Sequence, residues 1–134
     1  PIAYNCKIKF NETGKIPAFY NVFPEINHNE MTGFDIIEST RSLSQNFYII
    51  ILKDLADDPR ITARMEILAQ LYRDRGLAVV EVPLQGSSPF HKIFSSLILA
   101  DWTAYYLAQH YGAESEQVPM VEEFKSLIAS REAK

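Results

Sequence analysis

A single cysteine, Cys6, stands among 134 residues, so no disulfide can form within the chain, which fits a reducing compartment. Cys6 lies among helix-compatible residues and reads as a small buried hydrophobe rather than a nucleophile. Glycine is scarce, and neither G-x-G-x-x-G nor a Walker-type loop occurs, which argues against a dinucleotide or nucleoside triphosphate. No G-x-S-x-G elbow is present for a hydrolase. Positive charge is in short supply. The net charge is -4, with 7 basic and 9 acidic residues in 1–67 and 6 and 8 in 68–134, so no basic face points to nucleic acid. Long apolar runs are missing too. The stretch from Ile93 to Tyr111 carries Asp101, Trp102 and His110 and is too polar to span a bilayer. No signal peptide opens the chain. The reading is cytoplasmic, with no membrane partner.

What is present is an ordinary globular composition, 47% hydrophobic and 22% charged, enough for one core and one domain. Pro1-Ile2-Ala3-Tyr4 has no initiator Met and no cap yet enters a helical pattern at once, the expected start of a fragment of a longer polypeptide.

Helical spacing covers residues 3–13, with Gly14 as a stop. Residues 18–23 read as a short strand ending at Pro24, and His28 to Phe34 as a helical turn limited by Gly33. Residues 39–46 read as a polar loop. Phe47 to Leu52 is a continuous apolar run, the pattern of a parallel strand buried on both faces. Asp58-Pro59 starts a helix with Ile61, Met65, Leu68 and Tyr72 on one face and Gly76 at its end. Ala78 to Val82 is a second strand. Ser88-Pro89 opens a long helix to about Tyr111, closed by Gly112. Pro119 opens a last helix with Met120, Val121, Phe124, Leu127 and Ile128 on its apolar face. Strand, helix, strand, helix with short links predicts an α/β fold with a parallel sheet flanked by helices, whose ligands bind beyond the strands' carboxyl ends.

Candidate chemistry centres on Glu12 and His28. Glu12 falls near a helix C-terminus. A surface carboxylate satisfies that position, but the negative end of the helix dipole, with partial burial, would also raise a carboxyl group toward the range of a general base. His28 fits a loop or capping role; alternatively Asn27 and Asn29 would fix its tautomer for acid–base work. A metal site is disfavoured, because His28 and Glu30 are two apart and no second His or Cys lies nearby. Ser87-Ser88 after Gly86 suits either a helix cap or a phosphate. His91 and His110 read as structural or solvent-facing, and Trp102, Tyr105 and Tyr106 as core or interface. Lys125 reads as a solvated lysine on the last helix.

The run Lys7-x-Lys9-x-Asn11-Glu12-x-x-Lys15, followed by Ala18 to Pro24 and then Glu25-Ile26-Asn27-His28-Asn29-Glu30, resembles the C-terminal sugar isomerase (SIS) domain of bifunctional phosphoglucose/phosphomannose isomerases. The likeness continues through Leu52-Lys53-Asp54, Asp58-Pro59-Arg60, Arg64, Gly86-Ser87, Leu97 to Asp101, Tyr105 to Ala108 and Val118 to Lys125, nearly the whole chain. A helix ending in Glu, a short strand and a Glu-x-x-His are also similar, more distantly, to SIS domains of glucosamine-6-phosphate synthases. Lys9, Thr13-Gly14 and His91-Lys92 depart from residues common in the first family.

The resemblance implies a SIS-type, flavodoxin-like parallel sheet without its first strand. Residues 1–134 would form the C-terminal SIS domain of a two-SIS-domain protein. It implies an aldose–ketose isomerase converting glucose 6-phosphate or mannose 6-phosphate to fructose 6-phosphate through a cis-enediol. Glu12 falls on the catalytic base, His28 on the ring-opening residue supplied across a homodimer interface, and Lys125 on a C-terminal active-site lysine. No cofactor or metal is implied. The N-terminal SIS domain, with its phosphate loop, is the expected partner, and the chain alone should show at most trace activity. The other class of function is a non-catalytic SIS module that binds a phosphosugar or dimerises.

Overall fold

A computed structural model describes residues 1–132. The chain divides into two compact units: Pro1–Phe19 with the chain from Leu97 onward, and Tyr20–Ser96.

The second unit contains the sheet. Its two strands, β1 (Tyr48–Lys53) and β2 (Ala78–Pro83), run parallel, with Tyr48 opposite Ala78 and Lys53 opposite Pro83. Parallel strands need a crossover, which here is helix α4 (Pro59–Asp74). Asp58 caps α4 by accepting a hydrogen bond from the Arg60 amide at 2.8 Å, Pro59 occupies the first turn, and Gly76 beyond the end takes φ +82°, which suits glycine. Met65, Leu68, Ala69 and Tyr72 fall on one face of α4 at helical spacing and are buried. They form two clusters. Met65 and Ala69 meet Ile51; Leu68 and Tyr72 meet Leu77, with Phe23, Ile26, Met31 and Phe34 packed around them.

The predicted burial of β1 on both faces is not found in this chain. Ile51 is buried against α4, but Tyr48 and Ile50 on the opposite face are 63% and 41% exposed. Side chains alternate along a strand, and within this unit α4 covers only one side.

Residues 18–23 do not form a strand. Local side chains hold their backbone instead. Asn11 pairs with Ala18, and the Asn21 carboxamide accepts from the Val22 amide at 2.7 Å while donating to Glu30 at 2.7 Å. Such bonds compete with a ladder. A 3₁₀ turn (Glu25–Asn27) and a short helix α2 (Glu30–Gly33) follow the cis Phe23–Pro24 bond. The helical turn expected after His28 is therefore α2, and Gly33 is its last residue. The supposed polar loop at 39–46 contains a one-turn helix, α3 (Arg41–Ser44), with Ser44 buried.

The first unit is helical. Helix α1 (Ile2–Glu12) has no side-chain cap at Pro1. Helix α5 (Pro89–Tyr111) crosses the boundary between the units, starts at Ser88, whose hydroxyl accepts from the His91 amide at 3.2 Å, and ends at Gly112 with φ +64°. Ala100, Ala104 and Ala108 line its buried side. Lys9 on α1 pairs with Asp101 on α5 at 2.7 Å. Helix α6 (Pro119–Glu132) buries nothing: its expected apolar face, including Phe124 and Leu127, is exposed in this chain. No helix among the described residues is long and apolar enough to cross a membrane.

Candidate functional site

Glu12 is the last residue of α1 and is exposed, without the partial burial expected of it. Bonds on either side fix the turn that carries it. Before it, Asn11 Nδ2 donates to the carbonyls of Lys7 at 2.8 Å and Ala18 at 2.9 Å, and Asn11 Oδ1 accepts from the Ala18 amide at 3.4 Å. The side chain thereby pairs with both backbone groups of Ala18. After it, the Thr13 and Gly14 amides both return to the Lys9 carbonyl. Gly14 is buried, and a Cβ there would stand 2.8 Å from the Phe10 carbonyl oxygen and 3.4 Å from Leu107.

Helix α1 does not reverse at Gly14. Lys15 takes the left-handed conformation, φ 57°, which is unfavourable for a residue with a Cβ. Its ammonium donates to the Glu12 carbonyl at 2.6 Å and also to the Gln117 carbonyl, just before α6. A cation at this end offsets the negative end of the helix dipole and satisfies a carbonyl that the helix leaves open.

Lys125 lies on α6 in the same unit. Its Nζ pairs with Glu122 at 2.7 Å, one turn earlier, with both side chains 63% exposed. No hydrogen bond or ion pair among the described residues joins Lys125 to Glu12. Lys125 is thus solvent-exposed and paired within its own helix, and no bond among the described residues brings it to Glu12.

His28 belongs to the other unit. It follows the 3₁₀ turn, its amide donating to the Glu25 carbonyl at 2.9 Å, and it is exposed. The neighbouring asparagines were expected to orient its ring. Asn29 is engaged elsewhere: its Oδ1 accepts from the Glu30 amide and its Nδ2 donates to Glu25 at 2.7 Å. Asn27 Oδ1 is buried with no partner among the described residues. Asn29 ties together the loop on which His28 sits, and no hydrogen bond from Asn27 or Asn29 to the imidazole is present among the described residues.

At the carboxyl ends of the two strands the charges are already matched. Asp54 pairs with Lys92 and accepts from the Ala56 amide at 2.9 Å, which together hold its carboxyl below the usual range. Glu81 accepts from Arg73 at 2.9 Å and Lys53 at 3.0 Å, and is likewise held low. Ser88 is occupied as a cap, and His91 Nδ1 accepts from the Ser87 amide at 3.4 Å. Trp102, Tyr105 and Tyr106 form an exposed ring cluster, with Trp102 stacked on Tyr106 at 5.7 Å. Cys6 is half-buried, and burial pushes its thiol pKa up, as suits a structural role. No group of three or more potential metal ligands exists among the described residues.

Parallel strands joined through α4, with helices around them, define an α/β domain of SIS type with a two-stranded sheet. Residues 1–128 match the family model described as the bacterial phospho-glucose isomerase C-terminal SIS domain, and the chain belongs to that family. Among curated proteins it is similar to bifunctional phosphoglucose/phosphomannose isomerases. The Caldicellulosiruptor bescii protein is 33% identical over 96% of this chain, and that of Aquifex aeolicus 30% identical over 92%. The Thermoplasma volcanium protein is 30% identical over 96% of the chain. The chain spans only 37–39% of the length of these three relatives. No solved structure gives a significant match.

The sequence reading did not single out Asn11 or Lys15 for the bonds they make around Glu12. The signal for Lys15 was its spacing of three residues from Glu12, which lets a long side chain return to the last turn of a helix.

Proposed function

We propose that residues 1–134 are the C-terminal SIS domain of a two-SIS-domain phosphosugar isomerase that interconverts glucose 6-phosphate or mannose 6-phosphate with fructose 6-phosphate. Membership of the phospho-glucose isomerase C-terminal family over residues 1–128 carries this reading. In it, the Glu12 carboxylate removes the proton from C2 of the open-chain aldose. The C–H electron pair becomes the C1=C2 bond of a cis-enediol while the carbonyl oxygen O1 gains a proton. Return of a proton to C1 and loss of one from the C2 hydroxyl give the ketose. Ring opening is a separate acid–base step, assigned to His28 from a second copy in a homodimer. Lys125 serves as a further active-site cation. The first SIS domain binds the substrate phosphate, so the 134-residue chain alone has no more than trace activity.

The test uses the full-length protein in deuterated water. Glu12→Gln is expected to lower both turnover and exchange of the substrate C2 proton by roughly 10²- to 10⁴-fold. Exchange at the wild-type rate would remove Glu12 from the role of base. His28→Asn should slow turnover of a hexose 6-phosphate, which must open its ring, far more than that of a tetrose 4-phosphate, which cannot close one.

A second reading is a non-catalytic phosphosugar-binding or dimerisation module. The exposure of Glu12 and the engagement of Lys125 with Glu122 favour it. A full-length protein that binds a hexose 6-phosphate yet exchanges no C2 proton would establish it.

A further inference from the structure

We propose that Lys15 is a positioning residue for the base, fixing the α1 terminus from which the Glu12 side chain projects. The inference rests on the reading of Glu12 as the base.

Two observations carry it. Lys15 holds a backbone conformation that glycine would adopt more readily, although Gly14 is the adjacent residue and φ there is not positive. Non-glycine residues in this region persist where the surrounding structure determines them, and they cluster at functional sites. The second observation is what the conformation accomplishes. It turns the Lys15 ammonium back onto the carbonyl of Glu12 itself, at 2.6 Å, and onto the Gln117 carbonyl before α6. The last turn of a helix ordinarily frays, because its carbonyls lack partners. Here the terminal residue has its own carbonyl held by a cation that is anchored at a second point in the same unit. Asn11 holds the preceding residue to Ala18.

A base that removes a carbon-bound proton must be placed within a few tenths of an ångström, and a displacement of about 1 Å costs on the order of 100-fold in rate. Lys15 touches neither substrate nor the transferred proton in this scheme. Its effect passes through the orientation of Glu12 and therefore falls on kcat rather than KM.

Three Lys15 variants of the full-length protein test the proposal, with Glu12→Gln alongside. Lys15→Met keeps the stem and loses the ammonium; it is expected to lower kcat roughly 10- to 100-fold with KM within about twofold. Lys15→Gly suits the positive φ, so its melting temperature should equal or exceed that of Lys15→Met while kcat falls as far. Lys15→Arg restores donors to the two carbonyls and should recover most of the rate. Wild-type kcat in Lys15→Met and Lys15→Gly, with Glu12→Gln inactive, would overturn the positioning role and leave the base assignment intact. Loss of kcat that tracks loss of folded protein in all three variants would also overturn it. Wild-type turnover in Glu12→Gln would remove the base assignment, and the positioning role with it.

Discussion

Tyr72 is 1% exposed, and its hydroxyl has no hydrogen-bond partner among the described residues. Burial first, and then the negative charge of Glu30, raise its pKa from 10.0 to about 12. Because the folded value is the higher, the stabilising effect of keeping this phenol neutral is complete below about pH 10 and is lost as pH rises through about 12. Tyr72→Phe removes an unsatisfied buried hydroxyl and keeps the ring. It should leave the melting temperature unchanged or raise it, and remove part of the stability loss above pH 10, as thermal melts across pH 8–12 would show. Asp58 acts through the backbone instead. Its carboxylate accepts from the Arg60 amide at the start of α4, so Asp58→Ala should lower the melting temperature by a few degrees. The cap was legible in Asp58-Pro59, because that pairing has one common local use. The strain at Lys15 was not, because Gly14 beside it offered the cheaper left-handed residue and only tertiary contacts explain why it was not used.

Among the elements, α4 was legible nearly residue by residue, since cap, apolar stripe and terminal glycine all agree. Leu68 lies at the centre of that stripe with 1% exposure, and Leu68→Ala should cost roughly 2–5 kcal/mol in chemical denaturation. Segment 18–23 differs from the strand expected of it because a short, aromatic-rich stretch before a proline also describes an extended segment held by side chains such as Asn11 and Asn21. The loop ends of the strands make a pH prediction. Asp54, lowered chiefly by Lys92, and Glu81, lowered chiefly by Arg73 and then Lys53, have folded pKa values below their unfolded ones. Their stabilisation is present above the unfolded carboxylate range, about pH 4, and is lost as pH falls through the folded values. The urea midpoint should drop steeply below pH 4, and Glu81→Gln should flatten that drop; an unchanged slope would show that the Glu81 pairs with Arg73 and Lys53 do not contribute.

At the scale of the whole molecule, the order of α1, β1, α4, β2, α5 and α6 and the family were determined by sequence alone. Local periodicity specifies helices and strands through side-chain spacing, and the run from Asn11 to Glu30 together with the later segments specifies the SIS lineage. Tertiary structure decided which faces are covered. Tyr48, Ile50 and the apolar face of α6 read as core from their pattern and yet lie exposed in this chain, because pattern reports the ability to be buried and only packed neighbours supply the burial. Tertiary structure also decided how Glu12 is held. The clasp of Asn11 on Ala18 and the reach of Lys15 to Gln117 join residues 7 and 102 positions apart, a relation that no local spacing encodes.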